Sequence, residues 1–192
     1  MASRTGTFII IIGPSGSGKT ELVRALLQRV PNSARMITAT TRQPRPHERH
    51  GREYFFLERS EFEKGIARGD FFEHAEVYGN LYGLSRHILD GFLEKNDFVF
   101  LIIDEQGARR LKTDMPESFA IFIRPDSIAD LEKRLITARP ETPKEELRKR
   151  IDTARHELSM ADEFDAVVEN FDGRFGETVE NTLKILARFQ KK

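Results

Sequence analysis

None of the 192 residues is a cysteine. That excludes a disulfide framework and a thiolate metal site. Net charge is absent too, since lysine plus arginine and aspartate plus glutamate both total 31. So balanced a chain offers no overall basic field for nucleic acid or for an anionic membrane. Apolar runs such as Phe8–Ile12 fall far short of the ~20 residues a helix needs to cross a bilayer. The opening MASRTGTF has no apolar stretch or cleavage site of the signal-peptide kind, so the expected location is cytoplasmic. Internal repeats and low-complexity tracts are missing as well. What remains is 39% hydrophobic, enough to bury one good core, with inserted lobes allowed.

The pattern of that core is legible. Phe8–Ile12 is rich in isoleucine and stopped by Gly-Pro, which predicts a strand buried on both faces. Leu22, Leu26, Leu27 and Val30 predict a helix that ends before Pro31. FVFLIID (98–104), FAIFI (119–123) and AVV (166–168) predict further strands. Ser127 with Asp130 reads as a capping box. Thr142, Pro143 and Glu145 read as an N-cap, a first-turn proline and a box partner for a helix through Leu158. Phe175, Val179, Leu183, Leu186 and Phe189 predict one apolar side of a last helix. Alternating strands and helices give an α/β fold with a mainly parallel sheet covered on both faces. Residues 37–93 break the rhythm with short alternating runs, such as YFFL and FFEHAEVY, and helical stretches at 60–68 and 85–95. They read as a small α+β insertion.

GPSGSGKT follows the first strand and opens a helix, which matches G-x-x-x-x-G-K-[ST] in its required strand–loop–helix context. Gly13, Gly16 and Gly18 let successive backbone N–H groups turn inward, and the helix adds its positive end. Lys19 then reaches the β- and γ-phosphates, and Thr20 can hold Mg²⁺. Asp104 closes an apolar run, where an acid can meet a metal's water shell or cap the next helix. The two roles are compatible.

Two further arginine groups stand out. One is TTRQPRPHERHGREY (40–54), with four arginines in fifteen residues; the other is Arg134, Arg139 and Arg150. A phosphate loop with two such groups points to a kinase that seats two anionic substrates together. The spacing of HERH rules out an H-E-x-x-H metal site.

GPSGSGKT, TTRQPRPHERHGREYFF, FFEHAEVYGNLYG and DEQGARRL, in that order, resemble guanylate kinase, and the likeness spans about residues 6–190. RLITARPET with RKRIDTARHEL is similar to that family's lid, and VVENFD to its adenine-side strand and loop. The resemblance implies a P-loop NTPase core (about 6–36, 96–136 and 161–192), an acceptor-binding lobe (about 37–95) and a helical lid (about 137–160). It implies ATP and GMP as substrates, Mg²⁺ as cofactor, and no nucleic-acid or membrane partner.

Site roles carried by the resemblance follow position by position. Gly13, Pro14, Ser15, Gly16, Ser17, Gly18, Lys19 and Thr20 hold the donor, with Asn170 on the adenine side. Arg42, Arg45, Tyr54 and Tyr82 grip the acceptor phosphate, so the basic loop awaits a nucleoside monophosphate. Arg49 and Arg52 match no role and read as solvated loop charges. Glu73 reads guanine, with Thr38 beside the base and Asp104 near the metal. Arg134, Arg139 and Arg150 close over the donor phosphates. Two positions depart from the pattern. Leu84 stands where the family has a serine or threonine, and a leucine cannot donate to the base, which predicts a raised KM for the acceptor. His74 stands where a tryptophan is usual and reads as a packing residue. Two alternatives stay open: a related kinase acting on another phosphate monoester such as ribose 1,5-bisphosphate, and a non-catalytic module that binds phosphorylated partners.

Overall fold

A computed structural model describes residues 6–77, 79–138 and 143–189. In chain order it contains β1 (Thr7–Ile12), α1 (Lys19–Arg29), β2 (Ser33–Arg35), β3 (Ala39–Thr40), β4 (Phe55–Phe56), α2 (Arg59–Arg68), β5 (Phe71–Val77), β6 (Asn80–Ser85) and α3 (Arg86–Lys95). Then come β7 (Phe98–Ile102), α4 (Glu105–Asp114), β8 (Phe119–Pro125), α5 (Ile128–Ala138), α6 (Lys144–Ser159), a 3-10 turn (Ala161–Glu163), β9 (Ala166–Asn170) and α7 (Phe175–Leu186).

The large sheet runs β2-β7-β1-β8-β9, all parallel. Its side chains alternate between two cores. Phe8, Ile10, Ile12, Val99, Leu101 and Phe122 face Leu89, Leu93 and Leu111 of α3 and α4. Ile9, Ile11, Phe100, Ile121 and Ile123 face Leu22, Leu26, Val179 and Leu186 of α1 and α7. With both faces covered, the strands need apolar residues at every position. Each isoleucine so buried stabilises the fold by about 1.5–3 kcal/mol. The arrangement delivers four chain segments to the carboxyl edge of one sheet: the loop after β1, Asp104 after β7, Asp126 after β8, and Asn170 at the end of β9. Open α/β sheets bind ligands at that edge.

The second sheet runs β4-β3-β6-β5, antiparallel except where β3 pairs with β4. Phe62, Leu81 and Ala39 make its own small core. The insertion is not independent of the large sheet, because Leu84, Leu89 and Leu93 belong to the first of the two main cores. Pairing of β5 with β6 slips by one residue, Phe71 facing Ser85 but Glu73 facing Leu84. Phe72 is the extra residue, a bulge that shifts every later side chain of β5 relative to its partner.

Several sequence expectations need correction. β2 has no counterpart among the expected strands, since Ser33–Arg35 is polar and lies at the sheet edge. The strand expected over 98–104 ends at Ile102. Pro143 is the N-cap of α6 and not a first-turn residue, while Thr142 lies outside the described residues. Phe175 is 37% exposed at the start of α7, away from the apolar side assigned to it. Phe189 lies past the end of that helix and packs edge-on against Phe119, with ring centroids 4.9 Å apart. At α5, Ser127 does cap: its Oγ accepts from the Asp130 N–H at 3.1 Å and donates to the Asp130 carboxylate at 2.6 Å.

Candidate active site

The loop between β1 and α1 holds its glycines in conformations other residues resist. Gly13 has φ 135° and Gly18 φ 92°. A Cβ on Gly13 would lie 2.5 Å from the Ile123 carbonyl oxygen, and one on Gly18 only 2.3 Å from Asn170 Nδ2. Gly18 caps α1 without a side chain, so the first N–H groups of the helix keep their hydrogen-bonding capacity for an anion. Lys19 Nζ donates to the carbonyls of Gly13 (2.5 Å) and Pro14 (2.8 Å). Burial pushes its pKa down, and the negative charges of Glu157 and then Glu21 oppose that.

A cavity of about 580 Å³ opens over this loop. Lys19 and Thr20 line one side; Arg134, Asn170, Phe171 and Phe175 line the other. Arg134 is anchored there, its Nη2 donating to the Asn170 carbonyl at 3.1 Å. The Asn170 amide is turned to the loop, with Nδ2 donating to the Ser17 carbonyl at 2.8 Å.

A second cavity, about 340 Å³, is lined by Thr38, Glu73, Tyr82, Leu84, Asp104 and Arg110 among others. Burial pushes the Glu73 carboxyl above the usual carboxylate range, and Asp104 adds to this while Arg110 opposes it. Asp104 Oδ1 accepts from the Gly107 N–H at 2.8 Å, capping α4, so the capping role is realised. Leu84 contributes apolar wall but is only 1% exposed, and its side chain packs in the main core.

Arg42 is held by other parts of its own loop. Nη2 donates to both carboxylate oxygens of Glu48 at 2.9 Å, Nη1 donates to the Gln43 carbonyl, and the guanidinium lies 5.5 Å from the Tyr54 ring. Hydrogen bonding to Glu48 raises the Arg42 pKa, with Tyr82 contributing. The Arg45 N–H also binds Glu48 and is the largest influence lowering that carboxyl. Tyr54 and Glu48 line a third cavity, about 430 Å³, which shares Thr38, Leu101 and Ile102 with the second. Arg42 and Arg45 stand beside these cavities, not in their walls. Arg150 points along its own helix to Glu146 at 2.7 Å and lines neither the first nor the second cavity. Arg139 lies outside the described residues.

Four residues at or near these cavities have no site role in the sequence reading: Glu48, Arg110, Phe175 and Glu157. Glu157, on α6, is a buried carboxylate, 9% exposed. Burial raises its pKa, Lys19 lowers it, and Asp104 and Glu105 raise it. It thus lies within electrostatic reach of Lys19 in the first cavity and of Asp104 in the second. Helical spacing held the clue, since Glu157 follows Ala154 by three and flanks the buried stripe of Ile151, Ala154 and Leu158.

Comparison with known proteins gives matches over most of the chain. The sequence model described as Guanylate kinase matches residues 5–192. A guanylate kinase of Rubrobacter xylanophilus is 41% identical over 185 residues, 96% of this chain and 95% of that protein. One of Vibrio parahaemolyticus is 46% identical over 169 residues, covering 87% and 81% of the two chains. The crystal structure of guanylate kinase from Anaplasma phagocytophilum superposes with a TM-score of 0.69 at 29% identity, covering 99% of this chain and 89% of that one.

Proposed function

Because this chain belongs to the guanylate kinase family, we propose that it transfers the γ-phosphoryl group of ATP to GMP, giving ADP and GDP. The observation that carries the reading is a half-buried carboxylate, Glu73, in a cavity next to a phosphate loop. Its two oxygens accept together from guanine N1–H and the 2-amino group. Adenine offers no such pair on that edge.

The acceptor oxygen of GMP is already an anion, so the chain needs no general base. Its task is to hold two polyanions together. Two unit charges ~4 Å apart repel by about 4 kcal/mol at an effective dielectric near 20. Cationic groups offset this and stabilise the spreading charge of the transition state. Lys19 and the loop N–H groups hold the donor, with Arg134 across the cavity. Arg42, pre-aligned by Glu48 and Tyr54, turns its planar fork to the acceptor phosphate, aided by Arg45, Tyr54 and Tyr82. Arg150 joins as α6 closes and water is excluded. Thr20, which lines the donor cavity, would hold Mg²⁺ through its hydroxyl, and Asp104, whose Oδ1 caps α4, would hold it through water with its other oxygen. A phosphate-bound Mg²⁺ needs no more protein ligands than these. When bound, it neutralises donor phosphate charge.

ADP release in a coupled assay with GMP, dGMP, AMP, UMP and ribose 1,5-bisphosphate tests the assignment. GMP gives the highest kcat/KM. A higher value for ribose 1,5-bisphosphate would overturn it.

The pH dependence follows from Glu73. Only its ionised form accepts both guanine donors, and burial makes it take up a proton at higher pH than an exposed glutamate. As pH falls through that raised pKa, GMP affinity is lost. In Glu73→Gln this loss disappears, leaving only the titration of the phosphate itself. Parallel acid limbs of KM for GMP in both proteins would contradict this.

A further inference from the structure

Two buried polar side chains, Thr178 and Asn170, form a relay that ends on the phosphate loop, with Thr182 bonded to the backbone behind them. Thr182 Oγ1 donates to the Thr178 carbonyl at 2.8 Å. Thr178 Oγ1 shares its proton between Asn170 Oδ1 at 3.1 Å and the Glu169 carbonyl at 2.9 Å. Asn170 Nδ2 donates to the Ser17 carbonyl at 2.8 Å. Thr182, Thr178, Asn170 and Ser17 are all 5% exposed or less. The orientation of the amide is forced by its neighbours: the Ser17 carbonyl only accepts, so nitrogen must face it, and the Thr178 hydroxyl then meets oxygen. From the same residue, the backbone carbonyl takes Arg134 at 3.1 Å.

We propose that Asn170 is a positioning residue of the phosphate loop, locked by Thr178, and makes no contact with the donor base. Its side chain sets where residues 17 and 18 lie, and its backbone sets where Arg134 stands. One residue thereby fixes the separation between the loop N–H groups and the guanidinium across the cavity. Gly18 is pressed so close to the amide that any side chain there would displace it. Without the Thr178 hydroxyl, Asn170 Oδ1 loses its side-chain donor and the amide is held only by its bond to the Ser17 carbonyl. An amide that holds the loop acts on every donor alike, whatever its base.

The inference rests on the reading that this loop holds the donor phosphates, and the test separates the two. Calorimetric binding of ATP, GTP and inorganic tripolyphosphate is measured for the whole chain and for Asn170→Ala. Tripolyphosphate binding by the unaltered chain tests the donor-site reading by itself. Asn170→Ala weakens all three ligands by a common factor of about ten, the worth of one buried hydrogen bond and its lost geometry. Thr178→Val, nearly the same shape without the hydroxyl, weakens them by a smaller common factor, and Thr178→Ser restores them. Thr178→Val also raises KM for ATP and leaves KM for GMP unchanged, a split that general destabilisation does not produce. A loss confined to ATP, with tripolyphosphate unaffected, would restore the base contact and overturn the proposal. So would unchanged binding of all three by Thr178→Val.

Discussion

Lys19→Ala lowers kcat by about 10³ or more, with GMP binding retained. Lys19 is the only cation that the phosphate loop itself contributes, and its ammonium is directed by the carbonyls of Gly13 and Pro14. Removing a single preorganised donor from a transition-state site typically costs about 10²–10³ in kcat. Here a full positive charge facing two phosphates goes with it. The acceptor cavity shares no wall residue with the donor cavity, so GMP affinity is the internal control. Single-turnover kinetics and calorimetric binding of GMP make the measurement. Turnover within tenfold of the unaltered chain would remove Lys19 from the mechanism and favour a binding module over an enzyme.

Glu73→Gln reduces kcat/KM for GMP by about 10²–10³ and leaves the KM for ATP where it was. The carboxamide keeps one acceptor and turns one N–H towards a guanine N–H, so a hydrogen bond is lost and a donor–donor repulsion takes its place. At about 1–3 kcal/mol for each buried polar group left unpaired, and 1.4 kcal/mol per decade, that range follows. AMP, which never used the pair, is unaffected or slightly favoured, so the ratio of GMP to AMP activity collapses. Steady-state kinetics with both acceptors decide it. An unchanged ratio would mean that guanine is read elsewhere.

The parts legible in the sequence are those in which chemistry and chain geometry coincide. The glycines of GPSGSGKT, the doubly buried strands Phe8–Ile12 and Phe98–Ile102, and the cap at Ser127 each have a local cause. Missed features depend on partners remote in sequence. Ser33–Arg35 is a strand only because β7 offers it hydrogen bonds. The hold of Asn170 on the phosphate loop has no local sign, since its amide meets the Ser17 carbonyl 153 positions away. Arg42 is the exception, because its partner is local: Glu48, six residues on in the same basic loop, holds its guanidinium. Leu84 is half foreseen: it cannot donate to a base, but that it belongs to the main core follows only from the packing of α3 and α4 against β7.

The irregular step at Phe72 lets one short strand meet two packing demands at once. Phe71 stays opposite Ser85 and stacks on Phe62, while Glu73 stays opposite Leu84 in the wall of the acceptor cavity. The inserted ring packs against the main core and lies 4.1 Å from the Arg86 guanidinium. Excising it would leave both pairings as they are and cut only this tie between insertion and main sheet, so discrimination between nucleobases would outlive the bulge.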